Sequence, residues 1–215
     1  MKKVIIFGVG NFSSLAWYVL SHDSAYEMVA FTVDAAYIDK RSHHGLPVIA
    51  FENLIETYPP EDFALIIPLG PRRVNALRAE RYLKAKAMGY SFVSYVSSRA
   101  LIWPDLQVGE NCMIYEGVII QPFARIGDNC ILRSGCNISH HADVADHVFI
   151  ANGALIAGKT KIGERCYLGL GAIVRDNVTV ADRCILGAGA VVVADTEADG
   201  LYVGVPAKRR ALPAE

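Results

Sequence analysis

The chain has 215 residues, with 21 Lys and Arg against 22 Asp and Glu for a net charge of −1; it is 53% hydrophobic and 20% charged. That length gives one large domain or two small ones. The near-neutral balance argues against a nucleic-acid or membrane surface as main partner, and the apolar content excludes a disordered chain. No apolar run approaches the ~18–20 residues that span a bilayer.

The opening Met1-Lys2-Lys3-Val4-Ile5-Ile6-Phe7 starts like a signal peptide, but it runs into Gly8 and Gly10 without a small-residue cleavage site. It therefore reads as a buried strand over Val4–Phe7. An apolar-periodic helix follows from about Ser13 to Leu20, then a strand over Met28–Val33 ending at Asp34. Phe51–Tyr58 reads as a short helix stopped by Pro59-Pro60, Ala64–Pro68 as a third strand closed by Gly70, Arg72–Met88 as a basic helix, and Ser91–Val96 as a fourth strand. This alternation predicts a parallel α/β sheet with a ligand crevice at the strand carboxyl ends. Gly8-x-Gly10-x-x-Ser13 is an imperfect dinucleotide fingerprint, Ser13 standing where the third glycine belongs, and Asp34 sits where a ribose hydroxyl would be held. A tight strand–helix turn without any ligand explains the same residues.

From Ile102 onward the pattern changes. Stepping by six gives Ile102, Val108, Ile114, Ile120 and so on to Val192, sixteen positions that are all Ile, Leu or Val. The position four residues later is Cys, Val, Ala or Thr from Cys112 to Thr196. A repeat of six fits neither a helix nor a plain strand; it fits a short strand and a turn every six residues, three to a triangular coil of 18. Large aliphatics point inward and small residues fill the corners. Val108-Gly-Glu-Asn-Cys, Ile126-Gly-Asp-Asn-Cys, Val144-Ala-Asp-His-Val, Ile162-Gly-Glu-Arg-Cys and Val180-Ala-Asp-Arg-Cys start 18 residues apart, one turn repeated along one edge.

Few polar side chains break this pattern. His140-His141 sits at a corner and supports two readings, a general base near neutral pH or a solvated surface pair. A metal site on stacked coils needs ligand columns 18 apart. Stepping from His140 meets Pro122 and Gly158, from His141 Phe123 and Lys159, and from His147 Asn129 and Arg165, so no column forms within the chain, although sites between subunits stay open. Cys112, Cys130, Cys136, Cys166 and Cys184 all take the small corner position. They read as compact apolar fillers in a reducing cytoplasm rather than disulfides, ligands or nucleophiles.

Together these motifs resemble the hexapeptide-repeat (left-handed β-helix) acyltransferases. The subgroup is that of the nucleotide-sugar N-acetyltransferases and sialic acid O-acetyltransferases. The resemblance covers essentially the whole chain and rests on Ile138-Ser-His140, Gly153-Ala-Leu-Ile-Ala-Gly158, Ile162-Gly-Glu-Arg-Cys-Tyr-Leu-Gly169 and Gly204-Val-Pro-Ala-Lys208. It implies an α/β, Rossmann-like sugar-nucleotide domain over 1–97 and an all-β left-handed parallel β-helix over 98–215. It also implies a cytoplasmic homotrimer using acetyl-CoA, with active sites between neighbouring β-helices and no metal, nucleic acid or membrane partner.

By position, the resemblance makes His140 the catalytic base, with Gly158 supplying an oxyanion N–H and His141 an orienting group. Phe149, Gly158, Leu170, Ala188 and Lys208 fall at acetyl-CoA positions. Gly8, Gly10, Asn11, Phe12, Asp34 and Gly70 fall at sugar-nucleotide positions, and Arg133 is a candidate sugar or phosphate contact. The reaction implied is N-acetylation of an amino sugar, nucleotide-linked, in surface-polysaccharide synthesis. Alternatives are O-acetylation of a sugar such as sialic acid, or a non-catalytic trimer that binds sugar nucleotide or CoA. The chain departs from the family pattern in four places. His141 replaces the acid that commonly follows the base, leaving Asp143 or Asp146 as substitutes. Phe149 and Phe12 replace histidines, and Pro71 replaces an asparagine.

Overall fold

The computed structural model describes residues 1–211, so positions 212–215, the end of the expected 98–215 segment, lie outside the described residues. The opening apolar run forms strand β1 (Lys3–Phe7), followed by helix α1 (Asn11–His22) and strand β2 (Glu27–Val33). An unanticipated hairpin comes next, β3 (Ser42–His43) and β4 (Leu46–Ala50), turning through His44 and Gly45, both at positive φ. A 3-10 turn at Phe51–Asn53, α2 (Leu54–Thr57), β5 (Phe63–Ile66), α3 (Ala76–Ala87) and β6 (Ser91–Phe92) complete this part. The sheet order is β3-β4-β2-β1-β5-β6, and every pair is parallel except the hairpin. Both faces of β1 are buried, which is why its sequence is apolar without interruption. Val4 and Ile6 pack with Ala16 and Leu20 of α1, while Ile5 and Phe7 pack with Tyr82 and Ala85 of α3.

The single strand expected over Ser91–Val96 is two strands in two sheets. β6 pairs with β5, whereas β7 (Tyr95–Val96) pairs with Met113–Ile114 of the first coil. The chain changes sheets at Ser94, whose hydroxyl donates to Gly109 O (2.8 Å) and accepts from Cys112 N–H (2.9 Å). From Gln107–Val108 to Val191–Val192, two-residue strands recur every six residues and pair in parallel with those 18 residues away, as Ile131 does with Met113 and Phe149. The result is a parallel β-helix with three sheets. Val108 to Val192 hold the inward strand position, and from Ile114 onward each is buried; full burial stabilises by about 1.5–3 kcal/mol per such side chain. Ile102, expected in the same column, lies outside any strand and is 36% exposed.

Corners are closed by side chains as well as by backbone. Asp128, Asp146 and Asp182 each accept, through Oδ1, the N–H of Glu110, Asp128 and Glu164 one coil earlier (3.0, 2.8 and 2.9 Å). All five cysteines are free and buried. Burial raises the Cys112 and Cys136 thiols, the latter to about 12, so both are protonated fillers. Among the described residues no helix is long and apolar enough to cross a membrane.

The α/β sheet sits on the coil face whose outward residues are Met113, Ile131 and Phe149, and these join the α1-side core. The helix expected over Arg72–Met88 begins only at Ala76, because Arg73, Val74 and Asn75 take left-handed conformations (φ 51°, 49° and 62°). That turn aims the Asn75 amide at Arg165 O and Cys166 O, both at 2.9 Å. One turn on, Arg78 is fully buried and donates to Asn129 O, Leu69 O, Asn75 Oδ1, His147 O and Val148 O at 2.7–3.2 Å. Burial lowers the guanidinium to about 10, so it stays charged at neutral pH. The Tyr82 hydroxyl lies 2.5 Å from Glu110 and 3.0 Å from Asp128, and Lys86 pairs with Glu110. At the other end of the interface, Asp23 accepts from Tyr95, Ser97 and the Ser98 N–H.

A directional amide ladder runs along the same corner. The Ile67 N–H donates to Asn111 Oδ1 (2.7 Å), Asn111 Nδ2 to Asn129 Oδ1 (2.7 Å), and Asn129 Nδ2 reaches His147 Nδ1 (2.8 Å). Because a backbone N–H fixes the first amide, His147 Nδ1 must accept, so the buried ring is neutral. Burial pushes its titration down; Asp146, Glu164 and Asp128 oppose this, and Arg78 adds to it.

Two outcomes follow for stability. Arg78→Ala should lower the urea unfolding free energy by about 3 kcal/mol or more, and Arg78→Lys should not restore it, since one ammonium cannot reach five acceptors. Unfolded His147 protonates below about pH 6.5 while the folded ring resists, so stability should fall as pH drops below that value, by up to about 1.4 kcal/mol per pH unit. His147→Gln should flatten that slope in urea titrations between about pH 7 and 5; an unchanged slope would place the titration elsewhere.

Candidate functional site

His140 and His141 occupy the corner turn between the Asn137–Ile138 and Asp143–Val144 strands, both exposed. The His140 N–H donates to Gln121 Oε1 (3.0 Å), which fixes the backbone of the turn. His141 is at φ 59°, and its ring packs at a tilt of 37° against Phe123 one coil below, with centroids 4.7 Å apart. The two imidazoles meet through Nδ1 at 3.2 Å. If His140 donates from Nδ1, its Nε2 lone pair is left free for a proton acceptor's task. Neither Asp143 nor Asp146 supplies a hydrogen bond here: Asp146 sits at a different corner, bonded to Asp128 N–H, and Asp143 lies in a strand column between Arg125 and Lys161.

Gly158 lies one coil above His140. A Cβ at this position would stand 2.7 Å from His140 Cε1 and 2.9 Å from Nε2, so only glycine lets the ring lie on the backbone. Its own N–H has no backbone acceptor among the described residues. A free N–H beside an imidazole is the arrangement that general-base acyl transfer with oxyanion stabilisation requires. An open groove lined by Phe123, Arg125, His141, Asp143, Lys159 and Lys161 borders the pair.

A second cluster forms where the α/β sheet meets the coils. Gly8 follows β1 at φ 94°, and the Ser13 hydroxyl donates to Phe7 O (2.9 Å), so the serine that replaces the third glycine closes the turn. Gly10 caps α1 without a side-chain hydrogen bond, leaving the N–H groups of Asn11 and Phe12 at the crevice. The Phe12 ring lies on Gly70, where a Cβ would be 2.7 Å from it, and edge-on to Phe149 at 5.9 Å. The Arg133 guanidinium stands 5.7 Å from the Phe12 ring and 4.3 Å from that of Tyr115. Asp34 ends β2 as expected, but its Oδ2 is already held by Arg81 at 2.8 and 3.1 Å.

The expected cofactor residues do not gather in one place. Leu170 (56% exposed) and Ala188 share the corner edge that also carries Arg133, one coil apart. Gly158 and His140 lie on the next edge, and Lys208 is exposed on the last strand, Lys208–Arg210. Phe149 is buried against Phe12, Tyr167 and Arg78, on the crevice side rather than beside Leu170. The two edges flank one sheet face, whose outward residues include Leu155 (45% exposed) and Ile173 (37%). Among the described residues, no group of three or more His, Cys, Asp or Glu side chains gathers as metal ligands.

The model of the GMPPB C-terminal domain family matches residues 95–197, starting on the first residue of β7. No curated protein matches the chain. Solved structures do match it along nearly its full length. The acetyltransferase domain of PglB from Neisseria gonorrhoeae FA1090 is 27% identical, with a TM-score of 0.85 over 98% of this chain and 100% of that one. That domain has also been solved in complex with acetyl coenzyme A. A mutant of perosamine N-acetyltransferase from Caulobacter crescentus, in complex with CoA and GDP-perosamine, is 27% identical, with a TM-score of 0.87 over 98% of each chain. WeeI from Acinetobacter baumannii AYE, 20% identical with a TM-score of 0.83 over 98% of this chain and 100% of that one, shares the fold.

Gly158→Ala should leave stability within about 0.5 kcal/mol, because the exposed His140 ring can rotate away. It should nonetheless shift the His140 ring resonances in NMR spectra; unmoved resonances would show that the ring does not rest on Gly158.

Proposed function

We propose that the chain is a hexapeptide-repeat (left-handed β-helix) sugar acyltransferase that N-acetylates a nucleotide-linked amino sugar from acetyl-CoA, in surface-polysaccharide synthesis. One observation carries this reading. A sugar N-acetyltransferase bound to CoA and GDP-perosamine superimposes on 98% of the chain. In this reading residues 1–97 form a Rossmann-like sugar-nucleotide domain and 98–215 the acyltransferase β-helix.

Acetyl-CoA, when bound, supplies a thioester whose acetyl group is transferred and whose thiolate leaves. His140 Nε2 takes a proton from the sugar amine as the amine attacks, and returns it to the leaving sulfur. In this reading His141 Nδ1, 3.2 Å from His140 Nδ1, accepts a hydrogen bond from it in place of a carboxylate and so fixes the tautomer. The unengaged Gly158 N–H donates to the carbonyl oxygen as it becomes an oxyanion. Leu170, Ala188 and Lys208 are the exposed cofactor contacts. Gly8, Gly10, Asn11, Phe12, Asp34, Gly70 and Arg133 frame the sugar nucleotide, with Asp34 offering the oxygen that Arg81 leaves free.

In one chain the crevice edge and the His140 edge are separated by the apolar Leu155–Ile173 face. A homotrimer packed through that face brings one subunit's base toward the next subunit's crevice and covers the exposed aliphatics. Five free, buried thiols fit a cytoplasmic setting, and the net charge of −1 fits a small-molecule partner rather than nucleic acid.

His140→Asn should reduce CoA release with acetyl-CoA and amino-sugar nucleotides by roughly 10²–10⁴-fold while leaving nucleotide-sugar binding intact. Equal turnover of variant and wild type would remove His140 from the mechanism, and acetylation of neutral sugars alone would favour O-transfer of the sialic acid type.

A further inference from the structure

Arg133 is a cation that lacks an anion. It starts the corner turn after the Ile131–Leu132 strand, and none of the ion pairs among the described residues includes it. Its Nη1 is buried and has no hydrogen-bond partner. Tyr115 and Phe12 present their rings to the guanidinium at 4.3 and 5.7 Å, which stabilises the charge but accepts none of its in-plane N–H bonds. Arg78 shows how this chain treats a buried guanidinium with a structural task, giving it five acceptors. Leaving a buried donor of a charged group unpaired is costly, so Arg133 is arranged for an acceptor that comes from outside the fold.

Its surroundings specify that acceptor. Both rings are fixed: Tyr115 is 2% exposed, and Phe12 is wedged between Gly70 and Phe149. Phe12 is the second residue of α1, whose first turn has no acidic side chain and whose cap has no side-chain hydrogen bond. The guanidinium therefore lies beside a helix N-terminus, at the carboxyl end of a parallel sheet, where dipole and N–H groups favour an anion.

We propose that Arg133 is a substrate-binding specificity residue whose guanidinium donates to an oxygen of the nucleotide's diphosphate. The sugar nucleotide is then held jointly by the α/β sheet and by the coil of the same chain. The identity of the ligand rests on the function proposed above; free phosphate or pyrophosphate offers the same oxygen chemistry. A planar guanidinium stacked on Tyr115 cannot be replaced by the point charge of lysine.

The test titrates wild type, Arg133→Gln and Arg133→Lys as full chains with GDP, UDP, dTDP, CDP, inorganic phosphate and inorganic pyrophosphate by calorimetry, and records the KM for acetyl-CoA and the Tm. The expected result is loss of affinity for the tightest nucleoside diphosphate by about 10- to 100-fold in Arg133→Gln, only partly restored in Arg133→Lys, with Tm and acetyl-CoA KM unchanged. Unchanged nucleotide affinity in either folded variant would overturn the assignment while leaving the proposed function standing. Wild type that binds phosphate or pyrophosphate as tightly as every nucleoside diphosphate would overturn the diphosphate assignment. Wild type that binds none of the six would overturn it together with the sugar-nucleotide reading.

Discussion

The crevice where the α/β sheet meets the coils depends on how Arg78 is buried. Its guanidinium has no carboxylate partner; its charge is spread over four backbone carbonyls and one side-chain amide, from the α/β sheet and from two successive coils. Carbonyls at those corners already point outward from the turns, so the coil offers a row of acceptors that a helix carrying the right donors can read. Asn75 and Tyr82 extend the same contact along the corner. Once this seam is set, α1 faces the coil, and Phe12, Gly70 and Phe149 close around Arg133. The crevice is thus a consequence of docking rather than a property of either part.

Much of this architecture is legible in the sequence because a coil of 18 residues repeats its physics. The inward aliphatics and small corner residues mark the β-helix from Val108 to Val192, and the five cysteines fall in one register. Ile102 fits the period but not the fold, because a period alone does not say where pairing partners begin. The seam was hidden for a different reason. Arg78 lies in the segment that reads only as a basic helix, Arg72–Met88, and burial of a charge cannot be read from spacing. One signal was present but unread: the outward strand residues Met113, Ile131 and Phe149 are apolar, whereas Arg125, Asp143 and Lys161 on another face are charged. That contrast identifies the covered face. β3 of the hairpin and β6 and β7 on either side of Ser94 are two-residue strands, too short for a pattern to show.

For the site, spacing placed His140 and Gly158 one coil apart, and the structure puts the ring directly over the glycine. The His141 contact follows from a left-handed turn and from packing on Phe123, neither of which composition reveals. A histidine beside the proposed base, unlike a carboxylate, carries no negative charge to offset the positive charge that would develop on that base. An apolar sheet face with Leu155 and Ile173 exposed separates His140 from the Arg133 crevice within one chain, which is the observation behind the proposed homotrimer.

The proposed reaction is direct transfer of an acetyl group to a sugar nitrogen. Its most direct measurement follows isotopically labelled acetyl-CoA, incubated with the protein and nucleotide-linked amino sugars, by mass spectrometry of every species present. Direct transfer predicts label in an amide on the sugar, an equal amount of free CoA, and no acetylated protein at any time. Label on a sugar hydroxyl, on a cysteine or histidine of the chain, or on no acceptor at all would contradict it.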